Sequence, residues 1–139
     1  MSVRRNLVAL LVTCVAATSI VLASCTPKPV ELTAATSGGA TQLQVGQKLQ
    51  ITLEANPTTG YSWVDKSDFG DGVLAAIGEP KYTASESGGS SPVVGAGGST
   101  LFVYEAKQAG EAQVKLEYVR PWETGVPATE EFTQLVTVK

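Results

Sequence analysis

From Thr41 onward the chain is built of short runs of branched and aromatic residues that alternate with polar ones, each run stopping at Gly, Pro or Asn. Period-two alternation marks strands with one buried and one solvated face. The clearest case places Val114, Leu116 and Tyr118 on one face and Lys115, Glu117 and Val119 on the other. Leu49, Ile51 and Leu53 alternate with Gln50, Thr52 and Glu54, and Phe102, Tyr104 and Ala106 share a face. Phe132, Val136 and Val138 share another, which Gln134 interrupts. Seven strands are predicted, near 41–45, 48–54, 61–66, 73–83, 99–106, 112–119 and 130–138, with a hairpin at Gly110 joining the fifth and sixth. Helix should be close to absent. The pattern predicts an all-β fold, an immunoglobulin-like antiparallel β-sandwich of about seven strands.

In such a sandwich each connection reverses the chain, so alternate connections lie at one end. The second, fourth and sixth are Asn56–Gly60, Ala84–Gly98 and Arg120–Thr129, and their composition is unusual. In Asn56-Pro57-Thr58-Thr59-Gly60-Tyr61, Pro57 fixes its own φ and pushes Asn56 toward an extended backbone. Thr58 and Thr59 are stiff at χ1, Gly60 can take the positive φ that turns the chain back, and the Tyr61 ring can anchor the loop base. The result is a stiff, uncharged wedge. Gly95-Ala96-Gly97-Gly98 follows a Ser/Gly-rich run and offers bare backbone for close approach to another surface. No helix or Lys follows it in the way a phosphate-binding loop requires. Arg120-Pro121-Trp122 leaves the sixth strand after a residue that ends regular pairing, and Trp and Arg are enriched at binding hot spots.

The N-terminus belongs to a different class of segment. Residues 1–24 have a basic start at Arg4 and Arg5, an apolar run and small residues before Cys25, the layout of a secretory signal peptide. Leu22-Ala23-Ser24-Cys25 resembles the lipobox of bacterial lipoproteins, which implies cleavage before Cys25, acylation of that residue and a place in the cell envelope, facing the periplasm or exterior. Residues 25–40, rich in Pro, Thr, Ser and Gly, read as a flexible tether, and 41–139 as the folded domain. The only cysteines are Cys14 and Cys25, so the mature domain would have no disulfide. Loss of residues 1–24 removes two Arg and no acids, leaving eight basic and thirteen acidic residues, a formal charge of −5 in place of −3. That balance is poorly suited to nucleic acid or to anionic membrane surfaces, and contact with a membrane is expected through the lipid alone.

With no histidine and no free thiol in the mature chain, most hydrolytic mechanisms lack their parts, and no cofactor or metal is expected. Asp65, Asp68 and Asp71 lack the ligand spacing of a calcium loop and read as a solvated turn.

Taken together, Asn56 to Tyr61, Gly95 to Gly98 and Arg120 to Trp122 resemble the signature of the chagasin family, inhibitors of cysteine peptidases, with NPTTGY, GxGG and RPW motifs in that order. The resemblance covers about residues 41–139. It implies a monomeric, reversible, tight-binding inhibitor of papain-like cysteine peptidases, not an enzyme. Thr58 and Thr59 would enter the cleft and block the catalytic Cys, while the glycine loop and the RPW loop grip either side. Trp122 would pack on an aromatic surface of the peptidase, and Arg120 would orient its loop or make a polar contact. The competing reading is a lipid-anchored adhesion or recognition module using the same loops for a non-peptidase ligand, since the fold alone serves many roles.

Overall fold

The computed structural model describes residues 27–85, 95 and 97–139. The chain runs through β1 (Val30–Thr33), a helical turn at Ala34–Thr36, β2 (Gly39–Leu43), β3 (Lys48–Ala55), a second turn at Pro57–Thr59, β4 (Ser62–Asp65), β5 (Leu74–Ala76), β6 (Lys81–Ala84), β7 (Gly98–Ala106), β8 (Gly110–Val119) and β9 (Glu130–Val138). One sheet has the order β1-β3-β7-β5, with β6 also on β7; the other is β2-β9-β8-β4. The alternation sets which faces meet. Leu49, Ile51 and Leu53 of β3 and Phe102, Tyr104 and Ala106 of β7 are buried, as are Val114, Leu116, Phe132 and Val136 of the other sheet.

Three expectations are corrected by this topology. The tether expected over residues 25–40 is folded from Val30 onward: β1 lies parallel to β3, with Val30 opposite Leu49 and Thr33 opposite Thr52, and Leu32 is buried. After the turn at Ala34–Thr36 the chain crosses to the second sheet, where β2 lies parallel to β9, Gly39 opposite Gln134 and Leu43 opposite Val138. Buried Gln134 fastens this crossing: its Nε2 donates to Thr36 O at 2.8 Å, and its Oε1 accepts from Thr41 Oγ1 at 2.7 Å and Ala40 N at 3.2 Å. A polar residue on an inward face is stable only with such partners.

The strand expected over 73–83 is two strands. β5 and β6 succeed each other along one edge of β7, broken where Gly78 takes φ 71° and Pro80 brings no N–H. The hairpin expected at Gly110 is instead an arch, because β7 and β8 belong to different sheets. Glycine is required there by contact, since a Cβ on Gly110 would meet Val73 Cγ2 at 2.5 Å.

These pairings define two poles. β3 rises from Lys48 at a base pole to Ala55 at a loop pole, and β1, being parallel to it, starts at the base.

Candidate functional site

Strand ends bring the three predicted loops together. Ala55 at the end of β3 and Ala84 at the end of β6 both face Gly98 at the start of β7, while Val119 at the end of β8 faces Ser62 at the start of β4. Residues 56–61 and 120–129, and the ends of the connection between β6 and β7 at Ser85 and Gly97, therefore lie at one pole.

The first loop is stiffened from within. The Asn56 side chain accepts from Thr58 N at 3.3 Å and from the Thr58 hydroxyl, and Thr59 Oγ1 donates to Asn56 O at 2.6 Å. Gly60, at φ 81°, donates its N–H to Pro57 O at 3.0 Å. Pro57, Thr58 and Thr59 are exposed at the tip.

The loops are then braced against one another. Asn56 N donates to the Tyr118 hydroxyl at 2.8 Å, and Asn56 Nδ2 to Gly95 O at 3.4 Å. Arg120 Nε donates to Thr59 O at 3.3 Å, its Nη1 to Glu123 Oε1 at 3.2 Å, and its guanidinium lies 4.5 Å from the Tyr61 ring centroid. Tyr61 stacks on Tyr118 at 5.4 Å, and Tyr118 packs on Trp63 at 5.0 Å. Trp63 is buried and donates Nε1–H to Glu54 O at 2.8 Å. An aromatic column thus runs from the core to the loops, capped by Arg120. Trp122 stays 67% exposed, and its ring lies across the first loop, because a Cβ built on Gly60 would be 2.5 Å from Trp122 Cη2. Pro121 beside it is exposed.

The glycines of the second loop differ in role. Gly95 has φ 88° and turns the chain. Gly97 closes the loop base by accepting from Ser85 N at 3.0 Å, and a Cβ on it would meet only ordinary contacts. Gly98 lets β6 and β7 approach, since a Cβ there would overlap Thr83 O and lie 2.6 Å from the Tyr82 hydroxyl. Ala96 and the Ser/Gly-rich run at 86–94 lie outside the described residues, as does Cys25.

The alternation marked Tyr118 as inward-facing but could not reveal that its hydroxyl carries the first loop. Glu123, the carboxylate that holds Arg120, carried no sequence signal at all. Two of the three aspartates read as a turn use their carboxylates internally: Asp65 accepts from Ser67 N at 2.8 Å and from the Tyr104 hydroxyl at 2.8 Å, and Asp68 from Gly70 N at 3.0 Å, whereas Asp71 accepts from Gln108 Nε2 through its backbone O at 2.9 Å.

The loop pole offers shape, hydrogen bonds and an aromatic ring. The Thr58 hydroxyl is committed to an amide oxygen, not to a base that could activate it. A sandwich whose strand ends gather these loops at one pole is immunoglobulin-like in architecture. The chain belongs to the chagasin family: residues 42–136 match the family described as Chagasin family peptidase inhibitor I42. It is 33% identical over 105 residues to chagasin of Trypanosoma cruzi, across 74% of this chain and 92% of that protein. Two solved structures share the fold. The cysteine protease inhibitor EhICP2 from Entamoeba histolytica is similar at a TM-score of 0.70 and 22% identity, over 81% of this chain and 96% of that one. PbICP-C, solved in complex with falcipain-2, is similar at a TM-score of 0.52 and 19% identity, over 81% and 92%. The family is one of peptidase inhibitors, so this chain is an inhibitor of cysteine peptidases and not an enzyme.

Proposed function

We propose that the loop pole plugs the active-site cleft of papain-like cysteine peptidases, one chain to one enzyme, reversibly and tightly. The observation that carries this reading is the bracing of all three loops into one surface, through Asn56 to Gly95, Arg120 to Thr59 and Trp122 over Gly60. Thr58 and Thr59 form the wedge before the catalytic Cys. Their loop is locked by its own hydrogen bonds, so it does not relax into a cleavable geometry, and little ordering entropy is lost on binding. Gly95 to Gly98 approach one wall with bare backbone, and Trp122 packs on the other. Arg120 is a brace: its guanidinium is shared among Thr59, Glu123 and Tyr61. Contacts of this class bury about 1,600 Å² in total.

We further propose that Cys25 is acylated after removal of residues 1–24, which holds the inhibitor on the cell envelope facing outward from the cytoplasm. The Leu22-Ala23-Ser24-Cys25 sequence after an apolar run supports this.

Titration against papain, cathepsin L-like and cathepsin B-like enzymes, with a serine peptidase as control, tests the inhibitory reading. Stoichiometric, reversible inhibition of the cysteine peptidases alone is expected. Survival of all three activities in excess folded protein would overturn it and put the adhesion reading first.

A further inference from the structure

We propose that Val126 is a second apolar contact of the third loop, gripping the same wall of the peptidase cleft as Trp122 and widening the apolar stretch that a target enzyme must offer there. The inference rests on the cleft-plugging reading and deepens it. It adds a contact outside the three sequence motifs and states the chemistry of the surface that meets it. Its first support is exposure. Apolar side chains that reach solvent singly are ordinary on a folded domain. Among the described residues, however, the two most exposed large apolar side chains are Trp122 at 67% and Val126 at 57%, and both stand on the connection between β8 and β9. Pro121 and Pro127 beside them are exposed as well.

The second support is that sequence and bracing hold Val126 out instead of leaving it loose. Gly125 turns the chain at φ 76°, a backbone open to glycine without strain. Pro127 fixes its own φ and pushes Val126 toward an extended backbone, and the branched Val side chain is stiff at χ1. Both ends of the loop are fastened: Glu123 N donates to Arg120 O at 3.0 Å, and Thr129 N to Tyr118 O at 3.0 Å. Val126 and Pro127 line one hollow with Tyr61, Arg120 and Glu123, which puts Val126 beside the guanidinium and ring that brace the first loop. A side chain held this way loses little entropy on binding. The third support is charge. Arg120 and Glu123 are the only charged residues from 120 to 129, and they pair with each other at 3.2 Å. The loop therefore presents apolar surface without net charge. Such a surface fits an uncharged, apolar wall and disfavours one whose charge would be desolvated without a partner.

The test measures inhibition constants for papain, cathepsin L-like and cathepsin B-like enzymes, with melting temperature, on the whole chain. Val126→Ala should weaken inhibition about fivefold, the order expected for part burial of two methyl groups. Val126→Asp should weaken it about thirtyfold or more, by setting an unpaired carboxylate against apolar surface. Val45→Asp makes the same change at an exposed valine of the base pole and should inhibit as the parent does. Melting temperatures should stay close to the parent's throughout. Val126→Lys separates contact from long-range charge and should lose inhibition as the Asp variant does. Inhibition kept or strengthened by Lys would overturn the apolar contact. Val126→Asp indistinguishable from the parent on every enzyme that the parent inhibits would overturn it too and leave the cleft reading standing. A large fall in the melting temperature of Val126→Ala, with inhibition intact in the folded fraction, would overturn it by assigning Val126 to packing. A parent that inhibits none of the three enzymes would overturn the contact and the cleft reading together.

Discussion

Trp63 and Trp122 share a side chain and have opposite uses. Trp63 is buried with its N–H paired to Glu54 O, whereas Trp122 lies exposed across Gly60. Trp122→Ala should therefore cost binding rather than folding: about 2 kcal/mol, roughly thirty-fold in inhibition constant, with a melting temperature close to the parent's. Measuring both on one preparation decides it, and a large fall in melting temperature with inhibition intact would show a structural role instead. Gly60→Ala places a methyl group against the Trp122 ring and forces Ala to φ 81°, a left-handed backbone that costs about 1–2 kcal/mol. Inhibition should weaken at least as much as in Trp122→Ala. The double variant should lose less than the sum of the two, because removing the ring removes the clash. Tyr118→Phe leaves Asn56 N–H without its acceptor, a loss of about 1–3 kcal/mol seen in denaturant midpoint and in weaker inhibition. The stiff Pro-Thr-Thr-Gly wedge was legible because its backbone preferences are local. The part played by Tyr118 was not, because a residue's alternation says which face it occupies but not which distant loop sits over its hydroxyl.

Among the elements, the N-terminal strand is the instructive case. Val30-Glu31-Leu32-Thr33 has one fully committed apolar side chain, Leu32, amid Pro, Thr, Ser and Gly, and so carries no readable period. It is a strand because β3 presents an edge to pair with, a long-range fact. Leu32→Ala should cost about 2 kcal/mol of stability, at the low end for a buried leucine since the site lies at a sheet edge. Equilibrium unfolding in urea checks this, and an unchanged midpoint would mean that β1 adds nothing to the sandwich. The strands of 48–54, 99–106, 112–119 and 130–138 were legible to within two residues, because long alternating runs override local noise. The arch at Gly110 was not, since a hairpin and a crossing between sheets ask for the same turn residues. Only the pairing of β7 with β3, and of β8 with β9, distinguishes them.

At the scale of the whole molecule, the chain contains no histidine, so stability should be flat between roughly pH 6 and 9. The alkaline side differs. Burial first, then the hydrogen bond to Asp65 and its charge, push the Tyr104 hydroxyl well above its ordinary 10.0. The unfolded chain then releases this proton before the folded one, so the contribution is intact below pH 10 and is lost as pH rises above it. Lys115, raised by its bond to Glu117, acts in the same direction above 10.5. Urea midpoints should hold to about pH 9.5 and then fall, and Tyr104→Phe should flatten that fall. An identical alkaline slope in the variant would exclude Tyr104 as its source. The parallel pairing of β1 with β3 also has a mechanical meaning. A peptidase held at the loops would pull β3 from its Ala55 end, and the anchor proposed at Cys25 would pull β1 from its Val30 end. In parallel strands those opposed tensions load the shared ladder in shear, so its hydrogen bonds bear the load side by side instead of opening one after another. An inhibitor tugged between such an anchor and a captured enzyme would meet the pull with the whole β1–β3 ladder at once.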